Sequence, residues 1–255
     1  MIWDQLTSPQ IAALDKNIPV VLCMAATEQH GPHLPLATDR LIGEYIAKKL
    51  HEALPDDVLI LPSVSVGYSA HHMGFAGSLT LTHETFAAQV SDMVGSVIHH
   101  GFNRIILLNS HGGNLGIGQV LVEKLGYQYP QAFITMATWW RVAAAALRNI
   151  TESGPGGVGH ACEFETSLML LIAPELVKTD LIKRSDNTPT FSWAEGDMLR
   201  GSKASYFRTF RQMTPNGVYG DPILASAEKG QKIIDAVLPE LKQIVADLKS
   251  ASSKS

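Results

Sequence analysis

The sequence predicts an α/β fold around a mainly parallel sheet, and three observations carry that prediction. Residues 18–24 (IPVVLCM) and 104–109 (RIILLN) are near-continuous apolar runs. Strands buried on both faces look like this, whereas half-solvated strands alternate. Stretches of helical periodicity alternate with these runs along the chain. Loops rich in Gly, Ser, Pro and His follow the strands, where ligands of open parallel sheets bind.

The elements follow in order. Strand 18–24 leads into a Pro- and Gly-rich loop, after which Thr38 or Asp39 can cap a helix running to about Leu50. Residues 58–66 form the next strand, interrupted by Pro62, and 67–78 (GYSAHHMGFAGS) form a loop. Thr82 can cap a helix to about Gly101, with His99 and His100 at its end in no catalytic role. Strand 104–109 runs into SHGGN and a helix over 115–125. A strand over 132–138 ends at Trp139 and Trp140, and a helix over 160–172 follows the Gly-rich segment 153–159. Segment 180–222 is irregular, and 225–250 is a long amphipathic helix with a frayed tail over 250–255. With no repeat or linker, 1–255 reads as one domain.

A chain of 255 residues with 45% hydrophobic content can bury a substantial core. A net charge of −4 and scattered Lys and Arg argue against nucleic acid or an anionic membrane as partner. Two cysteines, Cys23 and Cys162, make no disulfide framework, which fits a reducing compartment. No apolar stretch reaches the roughly 18 residues of a membrane span. The expectation is a soluble cytoplasmic protein acting on a small molecule.

The loop after the first strand reads EQHGPHLPLATD, residues 28–39. In an extended segment residues i and i+2 share a side, so Glu28 and His30 project together and Asp39 can fold back toward them. An imidazole with two carboxylates suits a divalent cation; the alternative is a polar loop facing water. His111, directly after strand 104–109, is either a ligand at the same sheet edge or a cap for the next helix. In HACEFETS, residues 160–167, helical spacing puts His160 and Glu163 on one face and Glu165 some way round. The glutamates there can be ligands, or capping and salt-bridge groups.

Glu28, His30, Asp39, His111 and Glu163 are one donor too many for a closed tetrahedral site. Two ions sharing Asp39 explain the set better: Glu28, Asp39 and His111 on one, His30, Asp39 and Glu163 on the other. Such a pair, roughly 3.5–4 Å apart, generates hydroxide near neutral pH and polarises a carbonyl. His160 is the candidate proton shuttle for a leaving nitrogen, and His33 the weaker one. His71 and His72 can line the substrate mouth, and Trp139 or Trp140 can stack on a planar ligand or belong to the core. The set suits Zn²⁺, Mn²⁺ or Fe²⁺.

EQHGPHLPLATD, NSHGGN, HACEFETS and the later GVYGDPILASAEKG resemble the creatininase (creatinine amidohydrolase) family, over about residues 3–232. The resemblance implies a three-layer α/β/α fold, a dinuclear Zn/Mn-type centre, often a homohexamer, and hydrolysis of non-peptide C–N bonds, frequently in cyclic amides. It places Glu28, His30, Asp39 and His111 on metal-binding positions and His160 on the catalytic histidine. Glu165 matches the acid of the ETS triplet. Gly113 stands where true creatininases carry their fifth ligand, and relatives of the Gly-Gly form carry an extra glutamate matching Glu163. Those relatives resemble formamide hydrolases, peptide-processing members and hydrolases of cyclic sugar-derived ketones. An isomerase or lyase acting on such a ketone, or a metabolite-binding module, are the rival readings.

Overall fold

The computed structural model describes residues 1–252. Its strands are β1 (Val20–Met24), β2 (Leu59–Ile60), β3 (Arg104–Asn109) and β4 (Phe133–Thr138), ordered β2-β1-β3-β4 in one sheet. Every pairing in it is parallel. Parallel neighbours need long crossovers. The longer helices are α1 (Thr38–Ala53), α2 (His83–His99), α3 (Leu115–Gln128), α4 (Glu163–Ile172) and α5 (Ala227–Ser250). The first three of them make the crossovers.

Alternation along the strands divides the core. Val20, Leu22, Met24, Ile105 and Leu107 pack with Phe86 and Val90 of α2 and Leu121 and Leu125 of α3. Val21, Ile106 and Leu108 pack with Ile42 and Ile46 of α1, Phe164 and Leu168 of α4, and Ile233 and Val237 of α5. The sheet is therefore the middle of three layers, which is why β1 and β3 read as unbroken apolar runs. Each fully buried Leu, Ile or Phe stabilises the stack by about 1.5–3 kcal/mol. Met24 lies beside Asn109 and Asn109 beside Thr138, so β1, β3 and β4 end level and their loops open on one rim.

Several boundaries differ from the sequence expectations, each for a local reason. In the segment 58–66 only Leu59 and Ile60 form a strand, because Pro62 has no N–H to donate; contact with β1 resumes at a bridge between Met24 and Val64. Neither Thr38 nor Asp39 caps α1. Ala37 holds that position and Thr38 Oγ1 donates to the Pro35 carbonyl at 2.7 Å, which leaves the Asp39 carboxylate free. Thr82 does cap α2, accepting from Thr85 N at 3.2 Å.

The helix expected over 160–172 starts only at Glu163. His160 instead ends a short strand, β5 (Val158–His160), paired antiparallel with β6 (Tyr219–Gly220). Between strand and helix Ala161 has φ 48°, a left-handed conformation that costs a non-glycine residue about 1–2 kcal/mol. Of the tail expected to fray over 250–255, Ser250 still belongs to α5, and 253–255 lie outside the described residues. No described helix is long and apolar enough to cross a membrane.

Candidate metal centre

The level strand ends gather side chains from distant parts of the chain. Glu28 and His30 follow β1, Asp39 lies in the first turn of α1, and His111 follows β3. His72 comes from the loop after β2, His160 from β5, and Glu165 from α4. All seven are buried. Three sets have ligand atoms within 4.8 Å of one another: Glu28, Asp39 and His111; His30, His160 and Glu165; and Glu28, His72 and His160.

Backbone carbonyls decide which ring nitrogen of each histidine faces the cluster. His30 Nδ1 donates to the Glu28 carbonyl at 3.1 Å, so the Nε2 lone pair faces Asp39 Oδ1 at 3.2 Å and Glu165 Oε1 at 3.8 Å. His111 Nε2 donates to the Tyr68 carbonyl at 2.9 Å, so its Nδ1 lone pair faces Asp39 Oδ2 at 2.9 Å and Glu28 Oε1 at 3.4 Å. Both rings thus present lone pairs to carboxylate oxygens, an arrangement that needs a proton or a cation between them. His72 differs. The Gln29 side-chain amide donates to its Nδ1 at 2.9 Å, so the ring proton is on Nε2, which lies 3.1 Å from Glu28 Oε1 without a hydrogen bond to it. His72 therefore has no lone pair to offer there. His160 Nε2 donates to the Gln29 carbonyl at 2.7 Å, which leaves Nδ1 facing Glu28 Oε1 at 3.8 Å.

The charges tell the same story. Both oxygens of Glu28, Asp39 Oδ2, Glu165 Oε2 and His30 Nε2 are buried without a hydrogen-bond partner. Buried charge of this kind needs pairing or a coordinated cation. Burial lifts the Glu28 carboxyl to about 7 against the opposing His111 charge. Burial opposes a proton on His30 and on His111, but neighbouring carboxylates prevail. Asp39 and Glu165 hold His30 well above its ordinary value, and Glu28 with Asp39 lifts His111 to about 9. Protons thus occupy the places that divalent cations can take, with proton release on binding. His160 and His72 are shifted the other way, by burial and then by neighbouring imidazoles, and are neutral. The donor set fits Zn²⁺, Mn²⁺ or Fe²⁺: imidazole and carboxylate without thiolate.

The structure does not bring Glu163, the expected fifth ligand, into this cluster. It is the first residue of α4, and its carboxylate turns away to Lys229, Thr151 Oγ1 at 2.7 Å and the Glu152 and Ser153 amides. Burial would raise its pKa, but the Lys229 hydrogen bond holds it below the usual carboxylate range. Glu165, two residues on, reaches the rim instead. The spacing expectation failed because α4 does not include His160. His33 is engaged by Thr166 Oγ1 at 2.9 Å.

Trp139 belongs to the core, packed edge-on against Trp140 with ring centres 5.2 Å apart, and Trp140 alone of the pair lines the cavity above the cluster. That cavity measures about 680 Å³ and is also walled by His71, Phe210 and three arginines. Phe210 stacks on His72 at 3.9 Å and lies 4.6 Å from His160. Phe210 carries no sequence signal, since it sits in the irregular segment 180–222.

The profile of the Creatininase family (creatinine amidohydrolase) matches residues 4–245. The chain belongs to the creatininase family. As a member of it, the protein is a hydrolase. It is 30% identical over 248 residues to the mycofactocin precursor peptide peptidase of Mycobacterium tuberculosis, covering 94% of this chain and 88% of the relative. It is 27% identical to the creatinine amidohydrolase of Pseudomonas putida (89% and 88% covered) and to the 3-dehydro-scyllo-inosose hydrolase of Thermotoga maritima (90% and 77%). The fold matches a creatininase variant described as Zn-Zn type with TM-score 0.80 at 23% identity, over 98% of both chains. A creatininase described as Mn matches with TM-score 0.80 at 22% identity, over 98% of this chain and 99% of that one. At Gly113, where the resemblance places a ligand in true creatininases, a Cβ would collide with the Tyr68 carbonyl and His111 Nε2. A side chain there would displace the contact that anchors His111.

Proposed function

We propose that the protein is a dinuclear metal-dependent hydrolase cleaving the C–N bond of a small amide, cyclic or formamide-like. One observation carries this reading: Asp39 offers one oxygen toward His30 and the other toward His111, as a bridging carboxylate does. Glu28, Asp39 and His111 would hold one ion, and His30, Asp39 and Glu165 the other, with Glu165 in place of Glu163. Bound divalent cations supply a water of lowered pKa and a Lewis acid for the carbonyl. His72, oriented by Gln29, stands beside Glu28. His160, neutral, takes a proton at Nδ1 and returns it to the leaving nitrogen, which otherwise departs as a strong base. Phe210, 4.6 Å from the His160 ring, narrows the approach to it.

A second reading is favoured by the peptidase relatives and by the cavity, which exceeds what a five-membered ring needs: the amide belongs to a larger, peptide-derived molecule. Membership of the Gly-Gly subgroup, a homohexamer and a cytoplasmic setting complete the proposal, on family resemblance. Incubation of metal-loaded protein with cyclic amides, formamides, short peptides and cyclic ketones in ¹⁸O-labelled water tests it. Hydrolysis places solvent oxygen in the acid product. Turnover of a cyclic ketone without label would instead indicate an isomerase or lyase.

A further inference from the structure

We propose that the outer wall of the cavity is an anion subsite, in which Arg141, Arg148 and Arg200 hold a carboxylate or phosphate group of the substrate. This deepens the amide-hydrolase reading, since the anionic group would sit on the wall while the scissile amide lies on the cluster. The chain carries a net charge of −4 and eight arginines, yet three of these line this one cavity. The other five are satisfied: Arg40 by Glu44, Arg184 by Asp221, and Arg104, Arg208 and Arg211 by backbone carbonyls. The guanidinium groups of Arg141 and Arg200 have no partner among the described residues.

The wall is built rather than incidental. Asp197, its one acid, accepts from Gly156 N at 2.7 Å and Leu199 N at 2.9 Å, so both its oxygens are occupied. It fixes the turn that carries Arg200, with Asp197 N donating to the Arg200 carbonyl at 2.8 Å. Arg148 Nη2 donates to the Leu199 carbonyl at 3.0 Å, tying the next positive charge to the same turn. Met198 N donates to the Val158 carbonyl at 2.9 Å, which connects the turn to β5 and so to His160. Three arginines against one acid leave the wall with positive charge in excess. Planar guanidinium forks recognise carboxylate and phosphate by paired, charge-assisted hydrogen bonds. The cavity floor is carboxylate-rich, so the two ends of the pocket discriminate between the two ends of a substrate.

The test is equilibrium binding of succinate, glycerol phosphate, and the neutral succinamide and glycerol to metal-loaded protein. The partner is an Arg141→Gln/Arg200→Gln variant, which spares the Arg148 contact and the cluster. Each anion should bind the wild type roughly tenfold or more tighter than its neutral counterpart. The preference should fall with added salt and vanish in the variant at unchanged metal content and melting temperature. The tighter of succinate and glycerol phosphate names the group. Equal anion binding by wild type and variant would overturn the subsite, because the cluster alone then holds the anion. Arginine-dependent anion binding by a chain that takes up no metal would sustain the subsite and sink the hydrolase reading. Amide hydrolysis without that dependence would do the reverse.

Discussion

Glu163 and Glu165 stand two residues apart on one helix, both buried, and their surroundings are opposite. Glu163 is surrounded by donors of the protein's own: Lys229, two hydroxyls and two backbone amides. Glu165 faces His30 at 3.8 Å and keeps Oε2 without a hydrogen bond, as Glu28 does at both oxygens. A buried carboxylate with its own lysine is complete and structural. One without such donors calls for a cation from outside. The difference separates a clasp holding loop 151–153 against α4 from a site prepared for metal, although both began as plausible ligands.

The sharpest way to break this distinction is at Asp39. Asp39→Ala should remove both ions and lower turnover by several orders of magnitude, since nucleophile and Lewis acid are lost together. Metal analysis alongside turnover checks it, and full metal content in that variant would end Asp39's role as bridge. His160→Asn should keep the ions and slow turnover by about 10²–10⁴-fold, with KM little changed. An unchanged rate would remove the proton shuttle. His72→Phe, which removes the imidazole beside Glu28, should weaken metal affinity by about 10–100-fold, measurable by chelator competition.

The smallest effect on chemistry belongs to the clasp. Glu163→Gln should leave metal content intact and cost about 1–3 kcal/mol of stability, because Lys229 then keeps only the exposed Glu152 carboxylate and the Leu224 carbonyl. The sign with pH follows from the lowered pKa of Glu163. Its stabilisation is fully present above the ordinary value of 4.5 and is lost as pH falls through the lower folded value. Denaturant midpoints across that range should fall for the wild type and show less of this loss in Glu163→Gln. A metal-depleted Glu163→Gln variant would return Glu163 to the ligand set.

What the sequence revealed was whatever depends on short-range pattern. β1 and β3 were legible because burial on both faces forbids polar alternation, and Glu28, His30, Asp39 and His111 because they follow those strands or open the next helix. For the second half of the site the residues were named, His160 and Glu165 among them, but their placement was not legible. His160 reads as helical until Ala161 turns left-handed, a conformation held by packing and not announced by any glycine or asparagine. Once α4 starts at Glu163, helical spacing exchanges the roles of Glu163 and Glu165. Lys229, which claims Glu163, lies 66 residues further along, and nothing local links the two. Phe210 and Arg200 reach the cavity from a segment without periodicity.

Anomalous diffraction from crystals grown with excess zinc or manganese addresses the two-ion site most directly. Two peaks should flank the Asp39 carboxylate, one toward Glu28 and His111 and the other toward His30 and Glu165. Absence of peaks there, or density beside Glu163, would contradict it.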